Sequence, residues 1–271
     1  MLKTEMRNPR TTHIDTMKTA EMLAVMQDEN ERAAAAVRTE LSAIGEAVDA
    51  ITERLLACGR LLYIGCGTSG RLGVLDAAEC PPTYGVPHGL VIGLIAGGDG
   101  AIRRAAEGAE DSYEAGERDL MAQAITAKDA VIGISVAGGA SYVLGAFAAA
   151  KAVGALTIAL TCNPGTPIER EAAIAIHPDT GEEVITGSTR MKAGSAHKMI
   201  LNMISTAVMV KLGHVYENLM INLRPSNKKL RLRIIGIVCD LAGVEAETAE
   251  AALEANDFNI RAALRALGKE A

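Results

Sequence analysis

The sequence lacks any pairing of its cysteines. Five are spread over 271 residues (Cys58, Cys66, Cys80, Cys162, Cys239), an odd number with no Cys-x-x-Cys among them. That excludes the usual zinc and dithiol redox motifs and fits a reducing compartment. A basic excess is lacking too: the formal net charge is −6. Nucleic-acid partners call for a basic face, so none is expected. No stretch of about 20 apolar residues is free of charges or loop signals, which argues against a membrane span. The opening "MLKTEMRNPR" lacks the apolar core of a signal peptide, so the expected location is the cytoplasm. His177, His197 and His214 stand alone without metal-like spacing and are read as structural. No low-complexity segment or tandem repeat is evident, and no cofactor or metal is expected.

What is present is an ordinary globular composition, 49% hydrophobic, in a chain long enough to bury a full core. Residues 14–58 carry apolar residues at helical spacing. One stripe is Met17, Met22, Leu23 and Met26; another is Val37, Leu41, Ile44, Val48, Ile51 and Leu55. Both read as core or subunit-contact faces. From residue 61 the texture changes to short β-rich runs: "LLYIGCG", "LVIGLIAGG", "AVIGISVAGG", "LTIALTCNPG" and "AAIAIHP". Runs that are continuously apolar indicate strands buried on both faces, with helical segments between them. The expected fold is therefore α/β, a doubly wound, mostly parallel five-stranded sheet with N-terminal helices. Its ligand should lie beyond the carboxyl ends of the strands. Residues 189–213 read as a long helix, and 234–271 as three short helices similar to a ubiquitin-associated module, read here as a packing or dimer element. The expected domains are 1–226 and 227–271.

The first strand runs into Gly65-x-Gly67-x-x-Gly70, the spacing of a dinucleotide fingerprint. A dinucleotide site also needs an acidic residue ending the second strand, and that strand ends in Ala96-Gly97-Gly98, with Asp99 placed as a helix N-cap. No Gly-Lys-Ser/Thr follows, so a P-loop is excluded. The loop does offer Thr68 and Ser69 at a helix start, where backbone N–H groups and the helix dipole favour a phosphate or carboxylate.

The longer context is more specific. "GTSGRLGVLDAAECPPTYG" (67–85) resembles the signature of the N-acetylmuramic acid 6-phosphate etherases, within the sugar isomerase (SIS) phosphosugar-binding fold. The resemblance continues in "TEMRNPRT" (4–11), "GLIAGGDGAIRRAAEGAED" (93–111) and "TGSTRMKAGSAHKMILNMIS" (186–205), and covers nearly the whole chain. Glucokinase regulatory proteins are more distantly similar, which leaves a non-catalytic phosphosugar sensor as the rival function. The resemblance implies a carbon–oxygen lyase that cleaves a D-lactyl ether in cell-wall sugar recycling, without metal or redox cofactor, as a homodimer with sites near the subunit interface.

It also maps two family carboxylates onto Glu79 and Glu110, read as acid and base. Pro81 and Pro82 are expected to end the helix at Glu79, where the helix dipole and partial burial disfavour the charged carboxylate, as a general acid requires. Glu107, Glu110, Asp111 and Glu114 are expected on one helical face. Expected substrate-binding residues are Gly67, Thr68, Ser69, Gly70, Ser135, Ser188, Thr189, Arg190 and Lys192. One departure stands out. Ala137-Gly138-Gly139-Ala140 occupies the place where family members commonly read Ser-Gly-Arg-Thr. Two hydroxyls and a cation are missing, although Ser135 and Ser141 remain. At about 1.5–3 kcal/mol for each hydrogen bond to a charged group, phosphate affinity should fall roughly a hundredfold or more. A changed substrate is the other outcome this loop leaves open.

Overall fold

A computed structural model describes residues 2–223, 225 and 228–269. The expected boundary between 226 and 227 falls on residues outside those described. The chain divides elsewhere, into one unit of residues 1–78 and 89–208 and a second of 79–88 and 209–271.

The first unit is built on five strands: β1 (Leu61–Gly65), β2 (Val91–Ile95), β3 (Ala130–Ile134), β4 (Leu156–Leu160) and β5 (Ile174–Ile176). All pair in parallel, in the order β2-β1-β3-β4-β5. Leu61 stands opposite both Val91 and Ala130, so β1, β2 and β3 end level at Gly65, Ile95 and Ile134. The chain leaves β1 for β2 on one side and returns to β3 on the other, which opens a crevice beyond the carboxyl ends of β1 and β3. Central strands β1 and β3 are buried along their whole length, whereas edge strand β2 is half-buried at its middle three residues. This is the expected sheet, and each strand coincides with one continuous apolar run.

Helices α1 (Thr19–Thr39) and α2 (Leu41–Leu56) precede the sheet. The second sequence stripe is core from Ile44 through Val48 and Ile51 to Leu55, but Leu41 is exposed. Of the first stripe, Leu23 is 58% exposed and the methionines are half-buried. Helix α3 (Gly67–Tyr84) follows β1, and the short α4 (Gly100–Arg103) follows β2. Then come α5 (Tyr113–Met121), α6 (Ser141–Ala152), α7 (Pro167–Glu171) and α8 (Lys192–Lys211). Phe147 and Val143 of α6 press on Gly133 of β3, where a Cβ would stand 2.5–2.6 Å from their carbons. Only a glycine admits that contact.

In the second unit α9 (Lys228–Ala242), α10 (Ala246–Glu254) and α11 (Ile260–Ala266) bury Ile234, Val238, Leu253, Ile260 and Leu264 together. Gly243 adopts φ +68° just after α9, and its N–H bonds the Cys239 carbonyl at 2.8 Å, a glycine C-terminal stop. Asn259 caps α11 through Ala262 N–H at 2.9 Å. Among the described residues, no helix is long and apolar enough to cross a membrane.

His197 of α8 is fully buried, with Nε2 3.3 Å from Cys162 Sγ. Burial holds its imidazole down at about 4. The unfolded chain binds this proton near pH 6.5 and the folded chain does not, so folding stability drops as pH falls from 6.5 to 4. The expected loss is about 3 kcal/mol. Urea unfolding at pH 7 and pH 4.5 should show this extra slope in the wild type and not in His197→Gln.

Candidate functional site

The glycine motif does three different jobs. Gly67 takes φ +53° in open space, turning the chain into α3. Gly65 and Gly70 instead allow a close approach: a Cβ on Gly70 would meet the Gly65 carbonyl oxygen and Ile95 Cγ1, both at 2.6 Å. Gly70 thus packs the helix on the strand and does not line the site. With the helix pressed so tightly, Thr68 and Ser69 in its first turn face the crevice.

That crevice holds a cavity of about 230 Å³, lined by Gly67, Thr68, Ser69, Glu110, Ser135 and Thr189 among others. Six expected residues meet there, drawn from the ends of β1 and β3, the segment before α5 and the segment before α8. A smaller lobe of about 170 Å³ adjoins it and shares Cys66, Gly67 and Glu110. The first N–H groups of a helix have no acceptor within the helix. At α3 the residues that carry them, Gly67, Thr68 and Ser69, line the cavity together with Ser135 and Thr189, an arrangement that suits an anion.

The helix starts differ in what occupies them. At α8, Glu183 accepts Lys192 N–H at 2.9 Å and Ala193 N–H at 3.0 Å, so a carboxylate of the protein already caps that end. Burial pushes the Glu183 carboxyl up, and these N–H bonds pull it partly back. At α6 the N-cap residue is Ala140, in extended geometry and without a side-chain cap.

The departing loop keeps its shape through Ser135 and Gly138. Gly138 sits at φ +70°, where a Cβ would collide with Thr166 at 2.3 Å, and its N–H bonds the Ser135 carbonyl at 3.0 Å and hydroxyl at 3.1 Å. Val136 O accepts from Cys162 N–H (3.0 Å), Thr161 Oγ1 (3.0 Å) and Asn163 Nδ2 (2.9 Å), which fixes the wall from behind.

Other expected residues lie elsewhere. Lys192 is buried in an ion pair with Glu29 and donates to Glu182 O at 2.8 Å, away from the cavity. Ser188 is half-buried and Arg190 exposed, and neither lines it. Glu79 belongs to the second unit and is exposed, and it lines neither of the two lobes. Its helix does not stop there. Helix α3 continues through Pro81 and Pro82 to Tyr84, because the prolines occupy the last turn, which Gly85 N–H closes on the Pro81 carbonyl at 2.9 Å. The acidic segment is not one helical face either. Gly108 at φ +70° and the Ser112 cap break it into a 3₁₀ turn (Ala109–Asp111) and α5, which turns exposed Glu110 onto both lobes.

Sequence reading missed Glu29. It is fully buried on α1 and accepts from Asn8 Nδ2 (3.1 Å), Arg10 Nε (2.5 Å) and Lys192. Burial pushes its carboxyl up, but the Lys192 and Arg10 hydrogen bonds outweigh this and hold it below the usual carboxylate range. The signals were Asn8 and Arg10 in the N-terminal motif and Lys192 in the one before α8.

A protein from Pectobacterium atrosepticum named N-acetylmuramic acid 6-phosphate etherase is 52% identical over 263 residues, covering 97% of this chain and 87% of its own. The chain belongs to the N-acetylmuramic acid 6-phosphate etherase family. A Clostridium beijerinckii etherase shares 52% over 97% of this chain and 86% of its own. Residues 43–151 match the glucokinase regulatory protein N-terminal SIS domain family, and residues 101–210 the SIS domain family. Phosphoheptose isomerases from Francisella tularensis (TM-score 0.56, 17% identity, 71% of this chain and 98% of that one) and Neisseria gonorrhoeae (0.52, 19%, 70% and 98%) share the fold. For this etherase-family chain, Lys192→Met removes one of the cations bonded to buried Glu29 while Arg10 stays on it, and should cost about 1.5–3 kcal/mol in urea unfolding. Exposed Arg190→Met should stay within about 0.5 kcal/mol.

Proposed function

We propose that the protein is a carbon–oxygen lyase that cleaves the D-lactyl ether of N-acetylmuramic acid 6-phosphate. The observation that carries this reading is one cavity, at the sheet's switch point, where an open helix N-terminus, hydroxyls and a carboxylate meet. It occurs in a chain about half identical to etherases over nearly its full length.

In this reading the 6-phosphate lies against the first turn of α3, with Thr68, Ser69, Ser135 and Thr189 as donors. Arg190, exposed beside Thr189, supplies a cation to the phosphate or the lactyl carboxylate. Glu110 removes the C2 proton of the open-chain aldehyde. The C2–H electron pair forms the C2–C3 double bond, and the C3–O bond breaks with a proton delivered by Glu79 to the lactate oxygen. Water then adds across the double bond, its oxygen at C3 and a proton at C2, giving N-acetylglucosamine 6-phosphate and D-lactate. Glu79 takes its role from the family motif, since neither of the two lobes is lined by it. A cytoplasmic homodimer with sites near the subunit interface completes the proposal.

The test is D-lactate release by the purified protein. The wild type should release it, and Glu79→Gln and Glu110→Gln should each lower kcat by about 10²–10⁴-fold. Binding of the phosphosugar without release would favour the sensor. Ala140→Ser should restore a missing N-cap, worth about 1 kcal/mol in thermal unfolding, and lower KM by adding a hydroxyl to the cavity wall.

A further inference from the structure

Helix α3 serves the site twice. Its first turn lines the larger lobe through Gly67, Thr68 and Ser69, and Arg71, one turn on from Thr68, lines the smaller one. Arg71 is half-buried, and its guanidinium is turned onto backbone. Nε donates to the Ile102 carbonyl at 2.9 Å and Nη2 to the Ala101 carbonyl at 2.8 Å. Both carbonyls belong to α4, which stops at Arg103, where the chain turns extended at Arg104 (φ −132°, ψ 134°). The last carbonyls of a helix have no N–H partner within it, and an arginine placed there supplies one. A side chain of the helix that forms the cradle therefore caps α4.

What α4 leads to gives the second half of the argument. The segment after β2 enters through Gly97 and Gly98, at φ +87° and +70°, and leaves through Gly108, at φ +70°. It folds round Gly97, where a Cβ would stand 2.7 Å from the Ala106 Cβ and 3.3 Å from the Ala101 Cβ. A hold on α4 is thus a hold on this whole compact segment. The turn that carries Glu110 follows directly, and Glu110 lines both lobes. Downstream that turn is secured by Ala109, packed against the hydrophobic core, and by Ser112, which caps α5. Upstream, Arg71 ties it to α3. We propose that Arg71 is a positioning residue: it locks α4 to the cradle helix and so fixes the Glu110 carboxylate relative to the bound phosphate. The inference rests on the lyase reading above, in which Glu110 removes the C2 proton. The cradle itself is set by Gly65 and Gly70, so loss of Arg71 displaces the base and spares the anchor.

The experiment measures D-lactate release and, separately, calorimetric binding of N-acetylglucosamine 6-phosphate. Arg71→Met should lower kcat about 10–100-fold, as a misplaced base implies, with KM and sugar phosphate affinity within about twofold. Retained binding shows that the variant is folded. Arg71→Lys, whose single ammonium cannot span both carbonyls as the planar fork does, should recover part of the rate. It decides the matter if Arg71→Met binds nothing: its kcat should fall at unchanged affinity. A group that acts through Glu110 has nothing to position once that carboxylate is gone. In the Glu110→Gln background, Arg71→Met should therefore change kcat by less than about twofold. Wild-type kcat in Arg71→Met, equal losses in both backgrounds, or affinity falling in step with rate in the lysine variant would overturn the assignment. Wild type that releases no D-lactate, or Glu110→Gln as active as wild type, contradicts the lyase reading itself, and the positioning role falls with it.

Discussion

A side chain at residue 70 would drive a carbon to within 2.6 Å of the Gly65 carbonyl oxygen, and one at residue 65 would meet the Gly70 nitrogen at 2.9 Å. The first turn of α3 can therefore lie directly on the end of β1 only because both positions are glycine. That contact sets where Thr68 and Ser69 stand relative to the end of β3, one strand away across the switch point. Displacing the helix start would carry its dipole and both hydroxyls out of the crevice together. The other walls of the cavity have meaning only with that turn in place.

A second set of contacts holds those walls. Glu29 gathers Asn8, Arg10 and Lys192, while Glu183 caps α8; together they fix the segment that brings Thr189 and Gly194 to the cavity. Asn163 joins Thr4 Oγ1, at 3.1 Å, to the Val136 carbonyl, so the N-terminal segment is tied to the loop after β3. Buried charges of this kind are expensive to leave unpaired and are seldom a net source of stability. Here they define geometry: each is satisfied in one arrangement of four chain segments.

The parts of this molecule that were legible in its sequence depend on local pattern. Each strand was a continuous apolar run, and a parallel strand buried on both faces must read that way. The cradle was legible because glycines and hydroxyls sit within a few residues of one another. Long-range pairing was not legible. Lys192 looked like a ligand for substrate because its partner, Glu29, lies 163 residues away in the chain. The acidic segment matched a helical period, yet left-handed Gly108 and the Ser112 cap override it. Pro81 and Pro82 signal a stop in the sequence, but in a last turn the lost N–H donors do not prevent Thr83 and Tyr84 from staying helical. The second unit is assembled from two separated stretches, 79–88 and 209–271, and that division has no local signature.

The central claim is that the hydroxyl-lined lobe at the β1/β3 switch point is where the sugar's phosphate binds. A crystal structure of the protein soaked with N-acetylglucosamine 6-phosphate tests it most directly. The account predicts the phosphate within hydrogen-bond distance of the Thr68 and Ser69 hydroxyls and the first N–H groups of α3. A phosphate seated instead among Lys3, Arg10 and Arg32, beside the buried Glu29 centre, would contradict it.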